Sequence, residues 1–263
     1  MTFAIIRGQA DTLDEAGRRF ARPRLTTPVF LNSVPKSGTH LIRNILRMFV
    51  AEDQHWNREY IQHPILRQSL DAFSKQKPWI SWGHLLFSDE GAIALRETRH
   101  IVLIRDPYDW VGARTRFYLS DEFQGQLNHL KSGQMPVEDM LNMMILGLPG
   151  KLPGLLDMYT FNAVAWMGTR AVMVKYEDIV EHVNDLASTR AEAYFRRLLA
   201  DCGIDTLPDD WRDRVETGAD RKQSRTASEN LNIAVDIPKE LPAAQKRLVD
   251  FAAPGLRQVL GYA

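Results

Sequence analysis

Four short segments of the chain carry side chains able to bind anions or to move protons. The first, Val34-Pro35-Lys36-Ser37-Gly38-Thr39-His40, combines a lysine, two hydroxyls and a glycine. If a helix follows it, such a turn offers unpaired backbone N–H groups to an anion, and Lys36, Ser37 and Thr39 add a charge and further donors. It is not a GxxxxGK[ST] loop, because Lys36 precedes Gly38. A plain turn capped by a threonine is the competing reading. The second segment is Gly83-His84; an imidazole with an ordinary pKa of about 6.5 makes His84 the best general-base candidate. The third is Arg105-Asp106-Pro107. Its guanidinium either clamps a second phosphate in bidentate fashion or pairs with Asp106 or Asp109. Asp106 itself reads as a helix cap, not as a catalytic group. The fourth is Tyr176-Glu177-Asp178, in which Tyr176 lies beside a nucleotide base or closes the core.

Each segment follows a short apolar run, at residues 28–33, 79–82, 100–104 and 171–175, and each run reads as a buried strand. Between them lie helical patterns. Residues 39–50 place Leu41, Ile42, Ile45, Leu46 and Phe49 on one stripe. Asp106 and Pro107 open a helix that runs to about Tyr118. Further helices are expected at 191–202 and at 242–260, the latter interrupted near Pro254. Strands alternating with helices predict an α/β fold, a central parallel sheet flanked by helices. Ligands of such sheets bind outside the carboxyl ends of the strands, where all four segments fall. One domain over 1–263 is expected. Within it, 121–159 is rich in Met, Gly and Pro and reads either as a packed helical insertion or as a lid shaping an acceptor pocket.

Composition narrows the class. The chain has 263 residues, 33 Lys and Arg against 33 Asp and Glu, and one cysteine. Zero net charge argues against broad electrostatic binding to nucleic acid or to an anionic membrane. The lone Cys202 excludes an internal disulfide and any cysteine-cluster zinc site, so a reducing compartment fits. The early charges Arg7, Asp11, Asp14, Glu15 and Arg18 do not suit a signal peptide, and no apolar run is long enough to span a bilayer. A cytoplasmic protein without stable membrane insertion is expected.

Taken together, the segments resemble the sulfotransferases that use 3′-phosphoadenosine-5′-phosphosulfate (PAPS). Val34–His40 is similar to that family's 5′-phosphosulfate loop, and Val102-Leu103-Ile104-Arg105-Asp106-Pro107-Tyr108-Asp109 to its 3′-phosphate motif. Gly83-His84-Leu85 is similar to the segment with the catalytic histidine, and Tyr176-Glu177-Asp178 to the segment near the adenine. Residues 241–262 resemble the closing helix. The resemblance implies a P-loop-like nucleotide-binding fold and sulfuryl transfer to a hydroxyl group of a small-molecule acceptor, with no metal and no nucleic-acid partner. It implies that Lys36 neutralises the leaving phosphate and that Ser37, Gly38, Thr39 and His40 hold the 5′-phosphate. Arg105 would hold the 3′-phosphate, Tyr176 and Arg221 would bind nucleotide, and His84 would take the acceptor proton. Several positions depart from the family pattern. Ala113 stands where a serine contacts the 3′-phosphate, Leu41 where a tryptophan meets adenine, and Trp82 where a lysine precedes the histidine by two. Only Arg221-Lys222 survives of the later RKGxxGxW motif, with Gln223 in place of its first glycine. The alternatives are a nucleotide-dependent kinase with an atypical phosphate loop and a non-catalytic nucleotide-binding protein of the same fold.

Overall fold

The structure, a computed structural model, describes residues 5–6, 11–125, 127–224 and 227–262. Its strands are β1 (Ile5–Ile6), β2 (Val29–Ser33), β3 (Ile61–Gln62), β4 (Ile80–His84), β5 (Arg99–Ile104), β6 (Phe123–Gln124) and β7 (Val172–Lys175). The helices of the first half are α1 (Leu13–Gly17), α2 (Thr39–Arg47), α3 (Asp89–Ala94), α4 (Pro107–Leu119) and α5 (Val137–Leu146). They are followed by α6 (Leu155–Asn162), α7 (Tyr176–Val183), α8 (Thr189–Asp201), α9 (Trp211–Ala219), α10 (Ala243–Ala252) and α11 (Leu256–Val259). The chain divides into two compact units.

The larger unit, Asp11–Ile104 with Phe161–Gln223, holds a five-stranded sheet of order β3-β4-β2-β5-β7. Every neighbouring pair in it is parallel, as the expected α/β fold requires. Strand period two sends Val29, Leu31, Ile80, Trp82, Ile101 and Leu103 to one face. There they meet Ile42, Ile45 and Leu46 of α2, Phe195 and Leu198 of α8, and Trp211 and Val215 of α9. Phe30 and His100 face the other way, where Phe30 meets Phe73 edge-on and His100 meets the Trp166 ring at 4.7 Å. The sheet is thus covered on both sides, which explains its near-continuous apolar strands.

All four predicted strands are present, and β4 runs two residues beyond the predicted 79–82, so that His84 is its last residue. The two-residue strand β3 gave no sequence signal. It pairs Ile61 with Gly83 and Gln62 with His84. A Cβ on Gly83 would stand 2.0 Å from the Ile61 carbonyl oxygen, so only glycine allows this edge strand its close approach.

The smaller unit comprises Met1–Ala10, Arg105–Thr160 and Ser224–Ala263. Here β1 and β6 form a two-stranded antiparallel ribbon. The Asp106 side chain caps α4, accepting from the Tyr108 N–H at 2.9 Å, with Pro107 in the first turn, as predicted. The helix expected at 242–260 is broken as expected: α10 ends at Ala252, and Pro254 and Gly255 separate it from α11. Arg257 then grips the Asp106 carboxylate through Nε at 3.0 Å and Nη2 at 2.8 Å. Much of 121–159 is helical, in α5 and α6, with Met140 and Met144 buried. Among the described residues no helix is long and apolar enough to cross a membrane.

Candidate functional site

The loop after β2 has the geometry expected of an anion cradle. It starts with the Val34 N–H bonded to the Leu103 carbonyl, turns through a Ser37 N–H bond to Val34 O, and enters α2 at Thr39. Lys36 has φ of 71°, the only non-glycine residue with positive φ among those described. Such backbone strain concentrates where a loop must present a particular surface. Gly38 has φ of 94°, and a Cβ there would stand 2.3 Å from a ring carbon of Tyr176. The two predicted segments at the ends of β2 and β7 therefore touch: the Tyr176 ring walls the loop at its glycine. Ser37 is fully buried, and its hydroxyl has no hydrogen-bond partner. An orphan hydroxyl under a loop at the start of a nine-residue helix fits a phosphate-bearing ligand.

His84 ends β4 on the same sheet face as Trp82, the face toward α2. Its Nδ1 lies 2.9 Å from the Ser33 carbonyl oxygen and 3.0 Å from the Ser33 hydroxyl. A carbonyl only accepts, so Nδ1 carries the hydrogen and Nε2 carries the lone pair. The Tyr60 hydroxyl lies 2.9 Å from Nε2 and 3.2 Å from Nδ1, which sets it over the imidazole ring and off the Nε2 lone pair. Burial, with the Lys36 charge behind it, pushes the imidazole down to about 3, so the ring is neutral at physiological pH. Asn32, fully buried beneath, locks the strand exit. Its amide donates to Leu85 O at 3.0 Å and its carbonyl accepts from Leu85 N at 2.9 Å. Ser33 Oγ also bonds Thr39 Oγ1 at 2.6 Å, so a single hydroxyl joins the histidine to the first residue of α2.

His40 and His100 are likewise lowered, chiefly by burial, to about 4 and about 3. Unfolded, these histidines and His84 bind protons near the ordinary 6.5; folded, they resist them. The stability this carries is present above pH 6.5 and is lost as the pH falls through 4 to 3. Urea midpoints should therefore drop between about pH 7 and about pH 4. A midpoint that rises on acidification contradicts the burial of these rings.

In the smaller unit, Arg105 directly follows β5, and its carbonyl accepts from the Tyr159 hydroxyl at 2.8 Å. Asp106 caps α4 and also accepts from Arg257. Neither neighbour of Ala113 stands in for a serine. Arg114 is buried and donates to Met144 O and Pro153 O, and Thr115 bonds back to Val111 O. Arg116 was not anticipated. It donates to Pro238 O at 2.7 Å, and burial, with the Arg105 charge second, lowers its pKa.

Arg221 is exposed, in a short turn after α9, while its neighbour Gln223 accepts from the Thr12 N–H at 3.1 Å. Sequence reasoning also missed Tyr60, Ser33 and Asn32, as well as Arg43, whose guanidinium lies 3.7 Å over the Trp82 ring. A lone tyrosine before an unsignalled strand carries no motif. Ser33 and Asn32 looked like ordinary residues of an apolar strand.

No protein-family model matches the chain, and no curated protein matches it. Solved structures do match. Mouse sulfotransferase SULT7A1 complexed with PAP aligns over 95% of this chain and 94% of its own, with a TM-score of 0.55 and 15% identity. Retinol dehydratase in complex with androsterone and inactive cofactor PAP aligns over 95% of this chain and 85% of its own, with a TM-score of 0.50 and 16% identity. Retinol dehydratase with retinol and PAP aligns over 95% and 86%, with a TM-score of 0.50 and 15% identity. With its parallel sheet and this likeness over nearly the whole length, the chain has the α/β fold of the PAPS-dependent sulfotransferases.

Proposed function

We propose that this protein transfers the sulfuryl group of PAPS to a hydroxyl of a small acceptor molecule. The observation that carries the reading is a neutral imidazole, His84, with its lone pair on Nε2, joined through one hydroxyl to the first turn of an anion-binding loop. PAPS, when bound, supplies an activated sulfuryl group on a good leaving phosphate. The chain then has to position the reactants and manage charge, as in phosphoryl transfer. Lys36 neutralises charge developing on the leaving oxygen, while Ser37, Gly38, Thr39 and His40 hold the 5′-phosphate. His84 accepts the proton released as the acceptor oxygen bonds to sulfur. Tyr176 and Arg221 complete the nucleotide contacts. The segment 121–159 selects the acceptor; the exposed Leu146 and Leu156 give it an apolar surface. The buried, free thiol of Cys202 suits a cytoplasmic setting.

Arg105 holds the 3′-phosphate, and Arg116 supplies the second donor that Ala113 lacks. Titration calorimetry with PAP and with adenosine 5′-monophosphate separates this role from general weakening. Arg105→Ala should cost PAP about 10- to 100-fold in affinity and the monophosphate almost nothing, and Arg116→Ala should act the same way but more weakly. Equal losses for both nucleotides contradict the assignment. The function itself is tested by transfer of radiolabelled sulfate from PAPS to a panel of alcohols and phenols that includes androsterone and retinol. PAP binding without transfer to any of them favours a non-catalytic nucleotide-binding protein.

A further inference from the structure

Among the described residues no hydrogen bond or ion pair reaches the guanidinium of Arg43. Its Nε is buried without a partner, whereas the two Nη groups, equally unbonded, are not enclosed. Arg43 stands four residues after Thr39 on α2, so the two share the helix face that is joined through Ser33 to His84. The guanidinium lies 3.7 Å over the ring of Trp82, a buried residue two positions before His84 on the same face of β4. Tyr60, whose ring meets that of His84 at 4.8 Å, feels the Arg43 charge as well.

No neighbour supplies a counter-ion. Asp11 bonds Arg47 at 2.8 and 3.0 Å, and Asp14 bonds the same guanidinium at 2.8 Å. Burial raises the Tyr60 phenol far above its ordinary range, so it is neutral. Burial also lowers Arg43, but only to about 10, and it keeps its charge at neutral pH. A charge taken out of water without a counter-ion is costly, and a ligand anion removes that cost. Two positions along a strand are about 7 Å apart. A hydroxyl at His84 and an anion at Arg43 are therefore bridged by a molecule of one aromatic ring. The planar fork of a guanidinium matches a carboxylate.

We infer that Arg43 is a specificity-determining residue that binds the carboxylate of an anionic acceptor, so that the preferred substrate is a hydroxy acid and not a neutral alcohol. This inference rests on the sulfuryl-transfer reading above. Three phenols of one size test it: 4-hydroxyphenylacetate, 4-ethylphenol and tyramine, which carry a carboxylate, no charge and an ammonium group. Calorimetry on the wild type with PAP bound should show the carboxylate binding about 10-fold or more tighter than the neutral phenol, and tyramine weakest. Equal affinities, or the reverse order, overturn the assignment without any variant. Arg43→Gln removes the charge. It should bring 4-hydroxyphenylacetate down to the affinity of 4-ethylphenol, while PAP affinity stays within about twofold. Arg43→Lys, which keeps a point charge, should retain the order with a smaller gap. A preference that survives Arg43→Gln places the anion elsewhere. A fall in PAP affinity in that variant assigns Arg43 to the nucleotide and overturns the acceptor role. With radiolabelled PAPS the same order should appear in kcat/KM. Selective binding of the carboxylate without transfer counts against the sulfuryl-transfer reading instead and leaves the Arg43 site standing.

Discussion

His84→Asn should lower the rate of sulfuryl transfer by about 10²- to 10⁴-fold while leaving PAP affinity nearly unchanged. The split follows from geometry. Nδ1 is consumed by Ser33, which leaves Nε2 as the nitrogen with a lone pair. Asparagine can keep a donor toward the Ser33 carbonyl but offers no basic nitrogen beyond it. The Lys36 loop and α2 are untouched, so the nucleotide should still bind. Single-turnover transfer and calorimetry with PAP measure the two quantities separately. A variant that turns over like the wild type removes His84 from the reaction. One that loses PAP affinity in parallel makes it a structural support for Ser33 and Thr39. The low pKa of about 3 also sets the pH response. Loss of activity between pH 7 and 5 is not expected from protonation of His84 in the free enzyme.

Gly38→Ala should be the most damaging small substitution in the loop, for two separable reasons. The backbone at φ of 94° disfavours any side chain, at roughly 1–2 kcal/mol. In addition, the new methyl would overlap the Tyr176 ring, 2.3 Å away. Either the ring moves or the loop does, and both displace the donors proposed for the 5′-phosphate. PAP affinity should fall at least about tenfold and Tm by several degrees, at about 2–4 °C per kcal/mol for a chain of this size. Gly133→Ala isolates the first cause, since Gly133 has φ of 73° and nothing within 4 Å of a Cβ. It should cost stability modestly and leave PAP binding alone. Gly38→Ala combined with Tyr176→Ala relieves the overlap and should recover part of the Tm. If Gly38→Ala behaves like Gly133→Ala in both measurements, Tyr176 is not the wall of the loop.

The amino-acid sequence by itself determined the parallel α/β fold, the four long strands, the capped start of α4 and the strand ends that present polar groups. Those are local matters. Apolar runs of strand length, an Asp-Pro helix start and a glycine at a tight turn act through neighbours a few residues away, and their physics is visible in a short window. Only the tertiary structure decided what surrounds those groups. Tyr60 reaches His84 because a two-residue edge strand pairs in one register, permitted by a glycine 22 residues further along the chain from Ile61. Tyr176, read as either a base neighbour or a core residue, lies against Gly38, a contact that depends on the placement of β7 in the sheet. The sequence around Ala113 does not say which side chain replaces the missing serine. Packing turned Arg114 and Thr115 toward carbonyls and left Arg116 to feel the Arg105 charge. The tautomer of His84 was equally beyond reach of sequence. A ring nitrogen takes its role from whichever carbonyl or hydroxyl the fold sets against it, and here that carbonyl belongs to Ser33, 51 residues earlier in the chain.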